Sequence, residues 1–147
     1  ICRSPMAEFV LKDLVNKRGV ADMFEIASAA TSTEEIWNGV GNPVYPPARQ
    51  ELSKHGISCE GKRAVQVTRS DYLHYDYILC ADTMNIRNTK RIVGDDADGK
   101  IHLLLDYASR PGESISDPWY TGDFQRTYSD VLAGCEGFLD YIFKKED

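Results

Sequence analysis

Two short and almost wholly apolar runs, "DYILCAD" (residues 76–82) and "IHLLLDY" (residues 101–107), constrain this chain more than any other feature. Side chains of a strand alternate between the two faces of a sheet, so an apolar run predicts a strand buried on both faces. Covering both faces requires helices, and helical patterns flank these runs. "TRSDYLHY" reads as a brief helix before the first, and "TMNIRNTKRIVG" as a helix between the two, stopped by Gly94. Alternation of helices with apolar strands is the signature of a parallel sheet sandwiched between helical layers.

The remaining segments extend the pattern. Met6, Phe9, Val10 and Leu14 recur at helical spacing after Pro5, which predicts a helix with Ser4 as N-cap, Pro5 at the first position and Gly19 as the stop. "DMFEIASAATS" reads as a short strand through Phe24 and Ile26, and "STEEIWNGVGNPVYPPARQ" as a long loop. Pro46 and Pro47 open a helix that closes at His55-Gly56. "SRPGESISDPWY" reads as a loop, and Phe124, Tyr128, Val131, Leu132, Cys135, Phe138, Leu139 and Ile142 hold one face of a long final helix ending in Lys144 and Lys145. A further strand is expected just before Ile1, feeding the helix at Pro5. The expected fold is therefore α/β, a three-layer, four-stranded parallel sheet with its first strand preceding the chain given. Residues 1–147 are expected to form one domain, N-terminally incomplete.

Charge and cysteine usage narrow the function. A net charge of −6 argues against nucleic acid or an anionic membrane as partner, since both need a cationic patch. The four cysteines (Cys2, Cys59, Cys80, Cys135) and three histidines (His55, His74, His102) show no metal-ligand spacing, so neither a metal nor a cofactor is expected. Scattered free thiols, no apolar run near the roughly 18 residues of a membrane span and no signal peptide point to the cytoplasm.

Ligands of such sheets gather beyond the carboxyl ends of the strands. Ser28, Asp82 and Asp106 stand at those ends. A strand-to-helix loop closing at Ile1, Cys2, Arg3 and Ser4 aims backbone N–H groups and a helix N-terminus at one spot, and Arg3 adds a bidentate clamp for an oxyanion.

"ICRSPMAE", "SAATS", "GNP", "HGI", "DYILCAD" with "NIRN", and "SDPWY" occur in the order and spacing of the low-molecular-weight protein tyrosine phosphatases, and the resemblance covers nearly the whole chain. It implies hydrolysis of phosphotyrosine in proteins or peptides through a cysteinyl-phosphate. Ile1, Cys2, Arg3 and Ser4 match the last four positions of the family's phosphate-binding loop, whose nucleophilic cysteine would lie four positions before Ile1. Inorganic phosphate or sulfate would occupy the same loop. Arg3 would grip the phosphoryl oxygens and Asp117 would be the general acid. Ser28 and Asp82 would support the loop and the arginine. Trp37, Tyr45, Trp119 and Tyr120 would wall the pocket.

Three rivals follow. Taken as complete, the chain lacks the nucleophile and would be a catalytically dead phosphate-binding module. An arsenate reductase of this fold needs a second relay cysteine after Cys80, which "ADTMNIRNTK" does not supply. A protein arginine phosphatase of the family carries threonine where Ile1 stands.

Overall fold

A computed structural model of the chain describes residues 2–146, and Ile1 lies outside the described residues. Helix α1 (Arg3–Lys17) starts two residues earlier than the capping pattern predicts. Cys2, not Ser4, holds the N-cap position, and its carbonyl accepts the Met6 N–H at 3.2 Å. Ser4 thus sits inside the first turn, where its hydroxyl is not spent on capping. A 3₁₀ turn (Ala21–Met23) follows.

The expected strand through Phe24 and Ile26 is not a strand. Residues 24–29 run without regular structure, and pairing begins only at Ala30, which bridges Gln66 in parallel. The reason is the lack of a ladder: a strand exists only where a neighbour takes its N–H and C=O groups. The expected long loop instead contains a hairpin, β1 (Ile36–Trp37) and β2 (Val40–Gly41), paired antiparallel. Asn38 and Gly39 both take positive φ (51° and 76°), the backbone of a tight hairpin turn matched to the twist of its strands.

Helix α2 (Pro46–Lys54) begins at the two prolines as predicted. Helix α3 (Arg69–His74) is held by a capping box in which Thr68 and Asp71 satisfy each other's backbone N–H. Strand β3 (Ile78–Cys80) leads into α4 (Thr83–Val93), which Gly94 stops with φ 102°. Strand β4 (Ile101–Leu103) is parallel to β3, with Ile78 opposite Ile101 and Cys80 opposite Leu103. The apolar run does not stay extended to Tyr107: from Leu104 to Ala108 it winds into a 3₁₀ helix that buries Leu104 and Leu105. The chain closes with α5 (Pro118–Thr121) and α6 (Phe124–Glu146). Among the described residues the sheet structure is thus two pairs of strands, not one continuous parallel sheet.

Helices still cover both faces. Met6, Val10, Leu52, Val131, Phe138 and Leu139 build the main core from α1, α2 and α6, and Leu79 of β3 packs against it. Its neighbours Ile78 and Cys80 point the other way, into a second cluster with Tyr72 of α3 and Val93 of α4. This in-out alternation is what an apolar strand between two helical layers requires. Helix α6 crosses the 3₁₀ segment so closely that a Cβ at Gly137 would stand 1.8 Å from the Tyr107 carbonyl oxygen. No described helix is long and apolar enough to cross a membrane.

Candidate active site

Three chain segments far apart in sequence meet at Arg3. The α1 packing described above puts Arg3 in the helix's first turn, with its side chain 14% exposed. Its Nη1 donates to Asp82 Oδ2 at 2.7 Å and to the Ile115 carbonyl at 2.7 Å. Asp82 follows β3 at the N-cap of α4, where its other oxygen accepts the Asn85 N–H at 2.7 Å. One carboxylate therefore caps a helix and orients the arginine. Ile115 is itself fixed, because its N–H donates to the Ala81 carbonyl at 2.8 Å. The guanidinium has five N–H donors, and these contacts use only one of its ends.

Asp117 faces the other end. Its Oδ2 lies 3.8 Å from Arg3 Nη2, too far for a direct hydrogen bond, while Oδ1 accepts the Trp119 N–H at 3.0 Å as N-cap of α5. The carboxylate is one-third exposed and pinned through a single oxygen, leaving Oδ2 available. An anchored guanidinium beside a half-committed carboxylate can bind a tetrahedral oxyanion and exchange a proton with it.

The aromatic residues are not all gathered there. Trp119 packs on Tyr45 with ring centroids 4.9 Å apart, and Tyr45 contacts Phe124 at 6.1 Å, so these rings form one wall beside Asp117. Tyr120 follows in α5 but is 84% exposed. Trp37 sits on the hairpin, 78% exposed, and is not brought into the Tyr45–Trp119 cluster. Ser28 does not bond to residues 2–4: its hydroxyl donates to Glu8 Oε1 at 2.7 Å.

Ser4 shares a small cavity with Ser28 and Lys62, beneath the first turn of α1. Glu8 and Lys62 are the residues that sequence reasoning missed. Glu8 is 5% exposed, and Lys62 Nζ lies 2.8 Å from its Oε1. The sequence signal was available in part: Lys12, one turn beyond Glu8, pairs with it at 2.6 Å.

None of the four cysteines is a ready thiolate. All four are buried. Burial pushes the thiols of Cys2 and Cys59 up, that of Cys80 to about 11 and that of Cys135 to about 12. A cysteine nucleophile needs the opposite shift.

Comparison with known proteins gives a consistent picture. The family model for low molecular weight phosphotyrosine protein phosphatase matches residues 1–147. The rat low molecular weight phosphotyrosine protein phosphatase is 40% identical over 144 residues, covering 95% of this chain and 88% of that protein. The crystal structure of YfkJ from Bacillus subtilis superposes with a TM-score of 0.91 at 34% identity, covering 100% of this chain and 91% of the other. A Drosophila arginine phosphatase superposes with a TM-score of 0.84 at 31% identity, covering 96% of this chain and 90% of the other.

Proposed function

Because the chain belongs to the low molecular weight phosphotyrosine protein phosphatase family, we propose that Arg3 and Asp117 are the clamp and the general acid of a phosphotyrosine hydrolase. The observation that carries this reading is the 3.8 Å approach of their side chains, with Arg3 braced from behind by Asp82 and Ile115.

The reaction runs in two steps. A thiolate attacks phosphorus, the S–P bond forms as the bond to the phenolic oxygen breaks, and Asp117 gives its proton to that oxygen. Water then attacks phosphorus while Asp117 takes its proton, the S–P bond breaks and the thiolate returns. Arg3 holds two equatorial oxygens through both steps, as a planar two-point donor where lysine offers one point. Ser4, freed from capping, donates its hydroxyl to the departing sulfur. On the family's motif the nucleophile is the cysteine four positions before Ile1 in the phosphate loop. The protein works without metal or cofactor, and inorganic phosphate or sulfate occupies the cradle between turnovers.

Tyr45 and Trp119 provide the wall against which a phosphotyrosine ring stacks, with Tyr120 and Trp37 at the outer rim. Ser28 supports the loop and Asp82 the arginine. A strand preceding Ile1 fits between residues 24–29 and β3, completing a four-stranded parallel sheet in flavodoxin-like order within one domain. The unladdered run at 24–29 and the single neighbour that β3 has among the described residues support that placement. The setting is cytoplasmic, with phosphoprotein as partner and neither nucleic acid nor membrane.

The test is hydrolysis by the full-length protein of phosphotyrosine, phosphoserine and phosphoarginine peptides side by side. Preference for phosphotyrosine supports the reading. Preference for phosphoarginine would assign the protein to the activity named for the Drosophila structure, and binding of phosphate without turnover would leave a capture module.

A further inference from the structure

The loop that leads into Asp117 is fastened to one side of α6 at two places. At its start, Arg110 Nη1 donates to Asp130 Oδ1 at 2.8 Å, and Arg110 Nε donates to Glu113 within the loop. At its end, the Thr127 hydroxyl lies 3.4 Å from the Ser116 carbonyl oxygen and 3.2 Å from that of Asp123, and shares its one hydrogen between them. Thr127 and Asp130 stand three residues apart on α6, which puts them on the same side of the helix. Both are buried, at 1% and 7% exposure. A second cation, Arg126, stands further from Asp130, at 3.7 Å, on an exposed side chain.

Asp117 is not located by its own side chain. Its 3.8 Å approach to Arg3 is too long for a hydrogen bond, and its bond to the Trp119 N–H is local and travels with the loop. Two residues upstream, Ile115 is fixed through its N–H on Ala81 and its carbonyl on Arg3. Between that anchor and Asp117 lies the Ser116 peptide, whose carbonyl oxygen is the one that Thr127 holds. Turning that peptide would swing the Asp117 carboxylate relative to the guanidinium while leaving Arg3 in place.

A buried carboxylate is a costly way to hold a loop, since apolar residues of similar size often pack as stably. What a hydrogen-bonded pair adds is one fixed pairing of donor and acceptor, and so one register for the loop. We propose that Thr127 and Asp130 are positioning residues for the general acid. The Asp130–Arg110 pair sets the register of residues 110–116 on α6, and Thr127 fixes the peptide that aims Asp117. This rests on the reading of Asp117 as the acid of a phosphatase.

The experiment compares the paired variant Arg110→Met/Asp130→Leu with Thr127→Val and Thr127→Ser in the full-length protein. It reads kcat/KM on phenyl phosphate and on dinitrophenyl phosphate, competitive inhibition by inorganic phosphate, and Tm. The paired variant removes both charges and keeps side-chain bulk, so its Tm should stay near the parent's. Its kcat/KM is expected to fall about tenfold on phenyl phosphate, whose basic leaving oxygen needs the proton, and less than about twofold on dinitrophenyl phosphate. Inhibition by phosphate should not change, because Arg3 keeps its bonds to Asp82 and Ile115. Thr127→Val deletes the hydroxyl alone and should give the same pattern at about threefold, with Thr127→Ser restoring the parent's ratio between the two esters. A purely structural contact predicts a lower Tm with that ratio unchanged, and this result would overturn the proposal, as would an equal fall on both esters. Should the paired variant not fold, Thr127→Val decides alone, and an unchanged ratio refutes. A parent that hydrolyses both esters while the variants keep its ratio removes this inference only. A parent that hydrolyses neither ester removes the phosphatase reading with it.

Discussion

Arg3 Nη2 stands 3.8 Å from Asp117 Oδ2, while Arg3 Nη1 is held at 2.7 Å by Asp82. The two carboxylates flank one guanidinium from opposite ends, and their remaining bonds separate their jobs. Asp82 has both oxygens committed, one to Arg3 and one to the Asn85 N–H. Asp117 spends one on the Trp119 N–H and keeps the other free. A fully committed carboxylate orients; a half-committed one can move a proton.

Arg3→Lys is expected to lower kcat/KM on an aryl phosphate about 10²-fold or more, because a lysine offers a single-point contact where two parallel N–H donors gripped the transition state. Steady-state kinetics with inorganic phosphate as competitive inhibitor checks this. Inhibition by phosphate should weaken in parallel, and unchanged inhibition would mean that the clamp is elsewhere.

The double duty of Asp82 can be divided. Asp82→Asn keeps an N-cap acceptor for α4 and so should cost little stability, whereas Asp82→Ala loses the cap and about 1 kcal/mol in urea unfolding. Both release Arg3 and should lower kcat/KM to a similar degree. A full-activity Asp82→Asn would show that Ile115 alone suffices to hold the guanidinium.

Gly137→Ala should destabilise the protein by roughly 2 kcal/mol or more, since the added methyl lands on the Tyr107 carbonyl rather than on a yielding side chain. Chemical denaturation reads the loss, and kcat of the fraction still folded should match the parent.

Acid sensitivity follows from Asp96. Its carboxylate accepts the Tyr72 hydroxyl at 2.8 Å and the N–H groups of Lys100 and Ile101 at 2.7 and 3.1 Å. Burial would raise this carboxyl, but those bonds together hold it below its ordinary value of 3.8. A carboxyl lowered on folding stabilises above its unfolded value and loses that contribution as pH falls through the folded one. Asp96→Asn should therefore be less stable at neutral pH and show a shallower loss below about pH 4 in unfolding series at pH 7, 4 and 3.

Much of this arrangement was legible in the chain. The helices α1, α2, α3, α4 and α6 announce themselves by period, cap and stop residues, and Asp117 and Arg3 by the motifs they close. The unbroken apolar runs marked β3 and β4, yet not that the second turns at Leu104, because Leu104 and Leu105 are as apolar in a 3₁₀ turn against α6 as in a strand. The hairpin hid inside a loop rich in turn residues, where Asn38-Gly39 was its one local signal. Residues 24–29 have strand composition but no ladder, since pairing is a property of neighbours and not of the segment. The Glu8 cluster was the least visible, because Lys62 reaches Glu8 only through tertiary folding and nothing in "CEGK" distinguishes it from a surface turn.

The most direct test of the central claim is the leaving-group dependence of Asp117→Asn in the full-length protein. A general acid matters in proportion to the basicity of the oxygen it protonates, and its removal costs on the order of 10²–10⁴-fold. For phenyl phosphate kcat/KM should fall within that range, and for a strongly electron-poor aryl phosphate it should hardly change. An equal fall for both esters would contradict the account, because Asp117 would then be positioning the substrate and not delivering its proton.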